Sequence, residues 1–193
     1  MGEDMGAPVI IKSQVIAKSK YFAIEEMQLR FHNGEERVYE RLQEVKTQSV
    51  IILPMLDSSS IILVKEYAVG VDGYILGLPK GRLECGESHI EGANRELMEE
   101  IGYGARILRV LAELTLAPGH LCHKITVVLA ENLYENRMSG DEPERLEVIK
   151  VSMNELDDLI LRGEFTEARS LAALCMLKSE ISRKDICDPR VCQ

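Results

Sequence analysis

Apolar and polar positions change their pattern along the chain, and each pattern predicts a different kind of element. Residues 9–42 alternate between apolar and polar side chains, and Asn33-Gly34 is a strong hairpin signal within them. Two continuous apolar runs, 49–56 and 61–67, flank a short polar turn and predict buried strands. We therefore expect a small antiparallel β module first, followed by the start of a larger domain.

A helix is predicted over residues 89–101. Ser88 and Glu91 have the spacing of a capping box, in which each side chain accepts a hydrogen bond from an amide that the helix start leaves unpaired. Gly102 marks the end, because glycine readily adopts the left-handed conformation that closes a last turn. The helical period places four apolar residues on one stripe, which is predicted to face the core: Ile90, Ala93, Leu97 and Ile101.

Three glutamates, Glu96, Glu99 and Glu100, form a neighbouring stripe on this helix. Carboxylates at such spacing repel one another by roughly a few tenths of a kcal/mol per pair, so a cation is expected among them. Hard divalent cations take carboxylate oxygens, and magnesium completes its coordination with water and substrate phosphates. Taken alone, the stripe has a second interpretation, a solvated acidic helix face.

The second half of the chain continues the mixture of strands and helices. Apolar patterns predict strands over 107–116 and 124–132. Ser152 and Glu155 form a second capping box, which precedes apolar residues at helical spacing and a stop at Gly163. Strands and helices in this order favour an α/β fold, an α/β/α sandwich with a mixed sheet.

A final helix and the domain boundaries complete the prediction. Thr166 is expected to cap a helix that runs to about residue 181, with Leu171, Leu174 and Cys175 facing inward. Residues 1–8 are predicted to be disordered. The proposed segments are the β module at 9–47, the larger domain at 48–182 and a C-terminal tail at 183–193.

Composition limits the classes of protein to which the chain can belong. With 193 residues and 46% hydrophobic content, it can bury one good core. No stretch approaches the roughly 18 consecutive apolar residues of a membrane helix, and the first residues have neither the basic nor the hydrophobic region of an export signal. Five cysteines without CxxC spacing favour reduced thiols, so we expect a cytoplasmic protein without a membrane partner.

The charge of the chain bears on its partners. A net charge of −9 argues against a nucleic-acid partner, because nucleic-acid backbones are usually bound by a basic face. The same charge repels a phosphorylated small molecule from the protein as a whole. A bound metal, helped by cations such as Lys80 and Arg82, must then make the site locally positive.

Residues 81–103 hold seven residues at a fixed spacing that is typical of the Nudix hydrolases: Gly81, Glu87, Arg95, Glu96, Glu99, Glu100 and Gly102. At average usages of about 5 to 7% per residue type, such a match is expected by chance in about one chain in a million or fewer. The flanking segments 64–70, 78–81 and 140–144 resemble the bacterial ADP-compounds hydrolases of the NudE type. The resemblance extends from about residue 10 to residue 178.

This resemblance implies the Nudix sandwich and a hydrolase that cleaves the pyrophosphate of ADP-linked nucleotides, such as ADP-ribose, diadenosine polyphosphates and NADH, to release AMP. Its cofactor would be Mg²⁺ or Mn²⁺, and the implied ligands are Glu96, Glu99, Glu100 and the backbone carbonyl of Lys80. Glu87 corresponds to the glutamate that supports the site. Arg95 lies between Glu91 and Glu99 at i−4 and i+4, so it is predicted to orient a metal ligand.

Related enzymes often carry their general base outside this motif, on a mobile loop. The corresponding loop is 140–144, in which Glu142 is the first candidate, Glu144 the second and Asp141 the weakest. The other interpretation of the loop is a plain acidic surface turn.

Relatives of this branch are usually homodimers whose N-terminal sheets help to form the partner's nucleotide pocket. We therefore expect residues 9–47 to dimerise. Arg37, Tyr39 and Arg41 are candidates for contacting the nucleotide, and solvent-facing or dimer-packing positions are the alternative for all of them.

The chain departs from related ADP-ribose pyrophosphatases where they hold the terminal ribose, because Ala68 and Gly77 replace an Arg and a Glu. Tyr103 takes the place of an aliphatic residue, and it still presents an apolar body. Other functions stay open: a nucleotide-binding Nudix module that does not hydrolyse, or a hydrolase of another nucleoside diphosphate derivative, of capped RNA or of an oxidised nucleoside triphosphate. The intact glutamates argue against the first, since such modules commonly lose one.

Overall fold

The computed structural model describes residues 6–43 and 48–186, with side chains through residue 180. The chain divides into two compact units, Met1–Lys46 with Thr115–Lys124 and Thr47–Leu114 with Ile125–Gln193. Most of the predicted disordered start and C-terminal tail lies outside the described residues, as does the predicted boundary between residues 47 and 48. Cys187 and Cys192 lie outside them as well.

The first unit contains an antiparallel sheet of three strands, β1 (Val9–Lys18), β2 (Ala23–Arg30) and β3 (Glu36–Leu42). β2 pairs with both neighbours. The hairpin predicted at Asn33-Gly34 is confirmed, since Gly34 joins β2 to β3 with a φ of +82°. Met27, 8% exposed, is the one buried residue in these three strands. The sheet therefore leaves much of its apolar surface open.

The second unit is built on two sheets. The first has the order β7-β4-β9-β8, from the strands Lys80–Arg82 (β7), Ser49–Pro54 (β4), His123–Glu135 (β9) and Tyr103–Leu116 (β8). It is mixed, because β4 runs parallel to β9 and antiparallel to β7. The second sheet is antiparallel, with β5 (Ser60–Ala68) between β10 (Glu147–Ser152) and β6 (Gly73–Gly77).

Helices cover both faces of the buried strand β4. The helices are α1 (His89–Glu96), which continues into a π-helical turn (Leu97–Ile101), α2 (Met153–Leu161) and α3 (Ala168–Ile186). Val50 and Ile52 of β4 share a core cluster with Leu97 of the π-helical turn. Because side chains alternate along a strand, Ile51 faces the other side, where α3 also packs on β4. The predicted α/β/α sandwich with a mixed sheet is confirmed.

Most of the predicted strands and helices are confirmed, although they begin and end at other residues than predicted. The strands predicted over 107–116 and 124–132 are part of the longer β8 and β9. The second capping box is confirmed, because the Ser152 hydroxyl accepts from the Glu155 amide and the Glu155 carboxylate accepts from the Ser152 amide. β6, β7 and β10 were not predicted, since three to six residues are too few to show a period.

Two predictions for the last helix are wrong. The helix begins at Ala168, and its first amides at Arg169 and Ser170 donate to the Glu167 carboxylate, so Glu167 is the cap and Thr166 is not. Cys175 is exposed, whereas Leu174 is buried as expected. No helix among the described residues is long and apolar enough to cross a membrane.

Candidate active site

The helix that carries the three glutamates begins and ends as predicted. The Ser88 hydroxyl accepts from the Glu91 amide at 3.3 Å, and the Glu91 carboxylate accepts from the Ser88 amide at 2.9 Å. Gly102 closes the helix with a φ of +77°. The periodicity did not predict that the last turn, Leu97–Ile101, is π-helical. Such wide turns are rare, and they occur frequently at functional sites.

The three glutamates of this helix differ in how deeply they are buried. Ala93, Leu97 and Ile101 face the core, as predicted. Glu96 and Glu100 are also buried, at 9% and 5% exposure, whereas Glu99 is half-buried. A solvated acidic helix face is therefore the wrong interpretation of this stripe.

β7 lies so close to the carboxylates that any side chain at Gly81 would displace one of them. A Cβ added to Gly81 would lie 1.9 Å from the carboxyl carbon of Glu96. One residue earlier, the Lys80 amide donates to the Glu100 carboxylate at 3.1 Å. The fixed glycine of the motif thus brings the backbone of β7 into contact with two of the glutamates.

Arg95 joins the glutamates of the site from one side. Its Nε and Nη2 donate to the two oxygens of Glu87 at 2.8 and 3.0 Å, and Nη2 also donates to the Arg82 carbonyl at 2.8 Å. Its Nη1 donates to Glu96 at 2.9 Å and to Glu99 at 2.8 Å. This arrangement supports orientation by Arg95, but its partner is Glu87, because Glu91 forms the capping box.

The buried carboxylates have an unusual preference for the neutral form. Burial raises the pKa of Glu100 to about 8, against a smaller opposing effect of the Lys80 charge and amide. Burial also raises the pKa of Glu96, which Arg95 opposes. A carboxylate in this condition is stabilised by any cation that reaches it.

These donors fit a hard divalent cation by their chemistry, because three carboxylates and a backbone carbonyl supply only oxygen ligands. In the described part of the chain, no group of three or more His, Cys, Asp or Glu side chains converges closely enough to hold an ion as it stands. The carboxylates are instead paired within the protein: Arg95 donates to Glu96 and Glu99, and the Lys80 amide donates to Glu100.

A cleft of about 630 Å³ opens in front of these groups, and a smaller cavity of about 260 Å³ adjoins it. Glu96, Glu99, Asp141 and Glu142 line both of them. Cations also border the cleft, namely Lys80, Arg82 and Arg95, with Arg137 and Arg145 at the smaller cavity. The space is suited to a charged ligand of several atoms.

The predicted base loop forms one wall of this space, and its candidates differ in environment. Glu142 is exposed at the edge of the cleft, where partial desolvation and the charges of Glu66 and Asp141 raise the pKa of its carboxyl. Glu144 accepts a hydrogen bond from the Tyr74 hydroxyl at 2.7 Å. The geometry therefore distinguishes the first candidate from the second.

The candidate nucleotide contacts lie in the other unit, on β3. Arg37 binds the Glu35 carboxylate at 2.6 Å, and Arg41 binds the Glu25 carboxylate at 2.8 Å. The Tyr39 ring packs against Phe31 with centroids 6.4 Å apart. Arg37, Tyr39 and Arg41 share one face of the strand, because their positions alternate. Their contact with nucleotide stays a prediction.

Sequence reasoning missed two residues of the site. Glu66 at the end of β5 forms a half-buried ion pair with the Lys80 ammonium group, and Tyr74 of β6 holds Glu144. Both pairs join residues that are distant in sequence, so no local spacing could reveal them. The available signal was weaker: Lys65 and Glu66 are charged residues near the end of an otherwise apolar run, 61–67.

Comparison with known proteins agrees with this geometry. Residues 45–174 match the NUDIX domain, and residues 8–41 match the N-terminal domain of NudE-type Nudix hydrolases. The ADP compounds hydrolase NudE of Escherichia coli (strain K12) is 39% identical over 178 residues, which are 92% of this chain and 95% of that protein. The chain is a Nudix hydrolase of the NudE type. Hydrolases of this family generally need divalent metal ions.

Two further relatives place this NudE-type chain within its family. A crystal structure of an ADP compounds hydrolase has a TM-score of 0.88 and 38% identity, and the match covers 95% of this chain and 98% of the other. The ADP-ribose pyrophosphatase of Bacillus subtilis (strain 168) is 29% identical over 177 residues, 87% of this chain and 94% of the relative. The relatives are therefore matched over nearly their whole length.

Proposed function

We propose that this NudE-type hydrolase cleaves the pyrophosphate of ADP-linked nucleotides, such as ADP-ribose, diadenosine polyphosphates and NADH, and releases AMP. One observation carries the proposal: Glu96 and Glu100 are buried carboxylates at the edge of a cleft large enough for a diphosphate group. Buried acidic groups of this kind are strongly stabilised by divalent cations. The ADP-compound specificity is supported by the names of the relatives.

We assign metal binding to Glu96, Glu99, Glu100 and the backbone carbonyl of Lys80, with Mg²⁺ or Mn²⁺ as the ion. A bound divalent ion supplies charge neutralisation at the pyrophosphate oxygens. Glu96 and Glu99 would become free to bind the ion when Arg95 gives up its hydrogen bonds to them. Its paired bonds to Glu87 keep the guanidinium beside the site throughout.

Glu142 is the proposed general base, and its carboxylate accepts the proton of the attacking water. Two features support this role: Glu142 lines the cleft together with Glu96 and Glu99, and its pKa is raised above that of an ordinary glutamate, which makes its carboxylate a stronger base. The same cleft is lined by Lys80, whose ammonium group pairs with Glu66. These residues keep charges of both signs close to the reacting bond.

The N-terminal unit is proposed to form a homodimer and to contribute Arg37, Tyr39 and Arg41 to nucleotide binding. In support, its sheet exposes a set of large apolar side chains that monomeric proteins usually cover: Val9, Ile10, Ile11, Val15, Ile16, Phe22 and Val38. Light scattering at micromolar concentration tests the dimer, and a monomeric mass would contradict it. A cytoplasmic location is proposed with it.

A turnover panel tests the activity. ADP-ribose, diadenosine triphosphate, NADH, a nucleoside triphosphate and a capped RNA are each incubated with Mg²⁺ and with Mn²⁺, and AMP is quantified by chromatography. We expect AMP from the ADP compounds only when metal is present. Preference for the triphosphate or for capped RNA would contradict the substrate class. Tight binding of ADP-ribose without turnover would indicate the non-hydrolytic module.

A further inference from the structure

The loop that carries Glu142 is fixed at both ends. Before it, the Met138 amide donates to the Met98 carbonyl at 3.0 Å, and Gly140 packs on Glu99, where an added Cβ would lie 3.3 Å from the Glu99 Cβ. After it, Leu146 is only 8% exposed and belongs to the core cluster. Between these ends, residues 141–145 are all exposed.

Among the described residues, a single side-chain hydrogen bond joins the middle of this loop to another element. The Tyr74 hydroxyl donates to Glu144 at 2.7 Å across a separation of 70 residues. Within the described part of the chain, residues 141–145 make no other hydrogen bond or ion pair through their side chains, and their backbone makes none to other elements. The conformation of the loop therefore depends on Tyr74 to an unusual degree.

We propose that Tyr74 is a positioning residue for the base loop: its hydroxyl holds Glu144, and this contact sets the loop so that Glu142 faces the cleft. The inference rests on the proposed function, since it assigns Glu142 the role of base. It also gives Glu144 a role, that of a hydrogen-bond acceptor two residues from the base. The Glu144 carboxylate is directed to β6 and acts on the reaction only through the loop.

The neighbouring tyrosine supplies a matched control. Tyr67 lies directly opposite Tyr74 in the β5–β6 pair, and their rings meet edge to face at 5.6 Å. The Tyr67 hydroxyl also donates to a carboxylate, that of Asp72, which lies in the turn between the two strands and not in the base loop. Removing either hydroxyl keeps the ring pair, and only Tyr74→Phe removes the contact with the loop.

Kinetics of four single variants and one double variant test the proposal. Because the bond is exposed and water competes with it, Tyr74→Phe and Glu144→Ala should each lower kcat by about three- to tenfold, with the KM for metal within about twofold of wild type. Glu144→Gln should lower kcat by no more than about twofold, because the amide oxygen of the glutamine can still accept a hydrogen bond from the Tyr74 hydroxyl. Tyr67→Phe should match wild type. The double variant Tyr74→Phe with Glu144→Ala should be no worse than either single variant.

The same variants separate this role from a catalytic one. If Glu144 were the base, Glu144→Gln would lose as much activity as Glu144→Ala, by about 10² or more, and Tyr74→Phe would keep its activity. That pattern would overturn the proposal. Equal effects of Tyr74→Phe and Tyr67→Phe on kcat would overturn it as well, since they would show a general effect of the hairpin.

Trypsin cleavage after Arg145 measures the loop without reference to turnover. Tyr74→Phe should accelerate this cleavage severalfold in the wild-type background and have no effect in the Glu144→Ala background, whereas Tyr67→Phe should change neither rate. Cleavage that is insensitive to Tyr74→Phe would overturn the contact itself. If the panel shows no turnover but the cleavage pattern is as expected, the proposed activity fails while the positioning contact stands.

Discussion

Two acidic segments meet at the cleft, and they are held in place by different means. On the helix, Glu96 and Glu100 are buried, and they are fixed by Arg95, by the Lys80 amide and by the close approach of Gly81. On the loop, residues 141–145 are exposed and make one side-chain hydrogen bond, to Tyr74. The first segment is desolvated and held by several contacts, and the second is exposed and held by one hydrogen bond.

This difference suits the two segments to different tasks. Desolvated carboxylates are unstable as bare anions, so the helix gains most from a bound cation. An exposed carboxylate on a loop keeps contact with water and can move a proton without a large penalty. Substitutions on the helix should therefore abolish metal binding, whereas substitutions on the loop should slow the reaction and leave the metal in place.

The largest effect is expected for Glu100→Gln. The loss of a buried anionic ligand should lower kcat/KM for ADP-ribose by about 10³-fold or more, because charge neutralisation by the metal is worth several kcal/mol. The fold should persist, since Gln resembles the neutral carboxyl that burial favours at this position. Steady-state kinetics check the loss of kcat/KM, and a thermal melt checks that the fold persists. Near-normal activity at saturating Mg²⁺ would contradict the assignment.

Glu142→Gln should have the next largest effect. Removal of the base should lower kcat by about 10² or more without changing the KM for metal. Because the pKa of Glu142 is raised above that of an ordinary glutamate, wild-type kcat should fall at acidic pH as the carboxyl is protonated, and the variant should lose this acidic limb. Asp141→Asn is the comparison, and a larger loss there would make Asp141 the base.

Gly81→Ala tests how closely the strand must approach the helix. Its Cβ would overlap the Glu96 carboxylate, which is the end of a flexible side chain and can rotate away. We expect a loss in kcat of about 10²-fold with little change in the melting temperature, because a ligand is displaced by about an ångström while the core is kept. In Gly70→Ala, where the Cβ meets no atom within 4 Å, both quantities should be unchanged.

A smaller effect is expected in the pH dependence of metal binding. The pKa of Glu100 is raised from 4.5 to about 8 in the folded protein without metal. Between these values the folded carboxyl keeps a proton that the unfolded chain has lost, so the stability of the metal-free protein falls as pH rises through this window. Metal displaces the proton, and its apparent affinity should rise by about tenfold per pH unit below about 8. Titration calorimetry of metal binding in buffers of different ionisation enthalpy measures the proton released. If metal binding releases no proton at pH 7, the prediction for Glu100 is wrong.

Local spacing predicted much of the helix segment. Ser88 with Glu91 and the glycine at 102 act within a turn of their own position, so the sequence specifies where the helix begins and ends. The burial of Glu96 and Glu100 could not be predicted in this way, because it depends on β7, which is distant in sequence and lies against both carboxylates. Nor did the local spacing reveal the π-helical turn. The apolar body of Tyr103 was predicted correctly, since it packs on the core cluster while Lys150 donates to its hydroxyl at 3.1 Å.

The loop segment was predicted less well. Its acidic residues were visible in the sequence, but the order of Glu142 and Glu144 was a choice between equivalent residue types. Their environments differ because Tyr74, on a strand too short to show a period, reaches one of them. Contacts between distant residues decide such roles, and a single sequence carries little information about them.

The most direct test of the account is Mn²⁺ binding followed by the electron paramagnetic resonance signal of the free ion. Wild-type protein and the Glu142→Gln variant should remove Mn²⁺ from solution equally well, whereas Glu100→Gln should leave most of it free at the same concentration. If Glu100→Gln binds Mn²⁺ as wild type does, the buried glutamates of the helix are not the metal site, and the account is wrong.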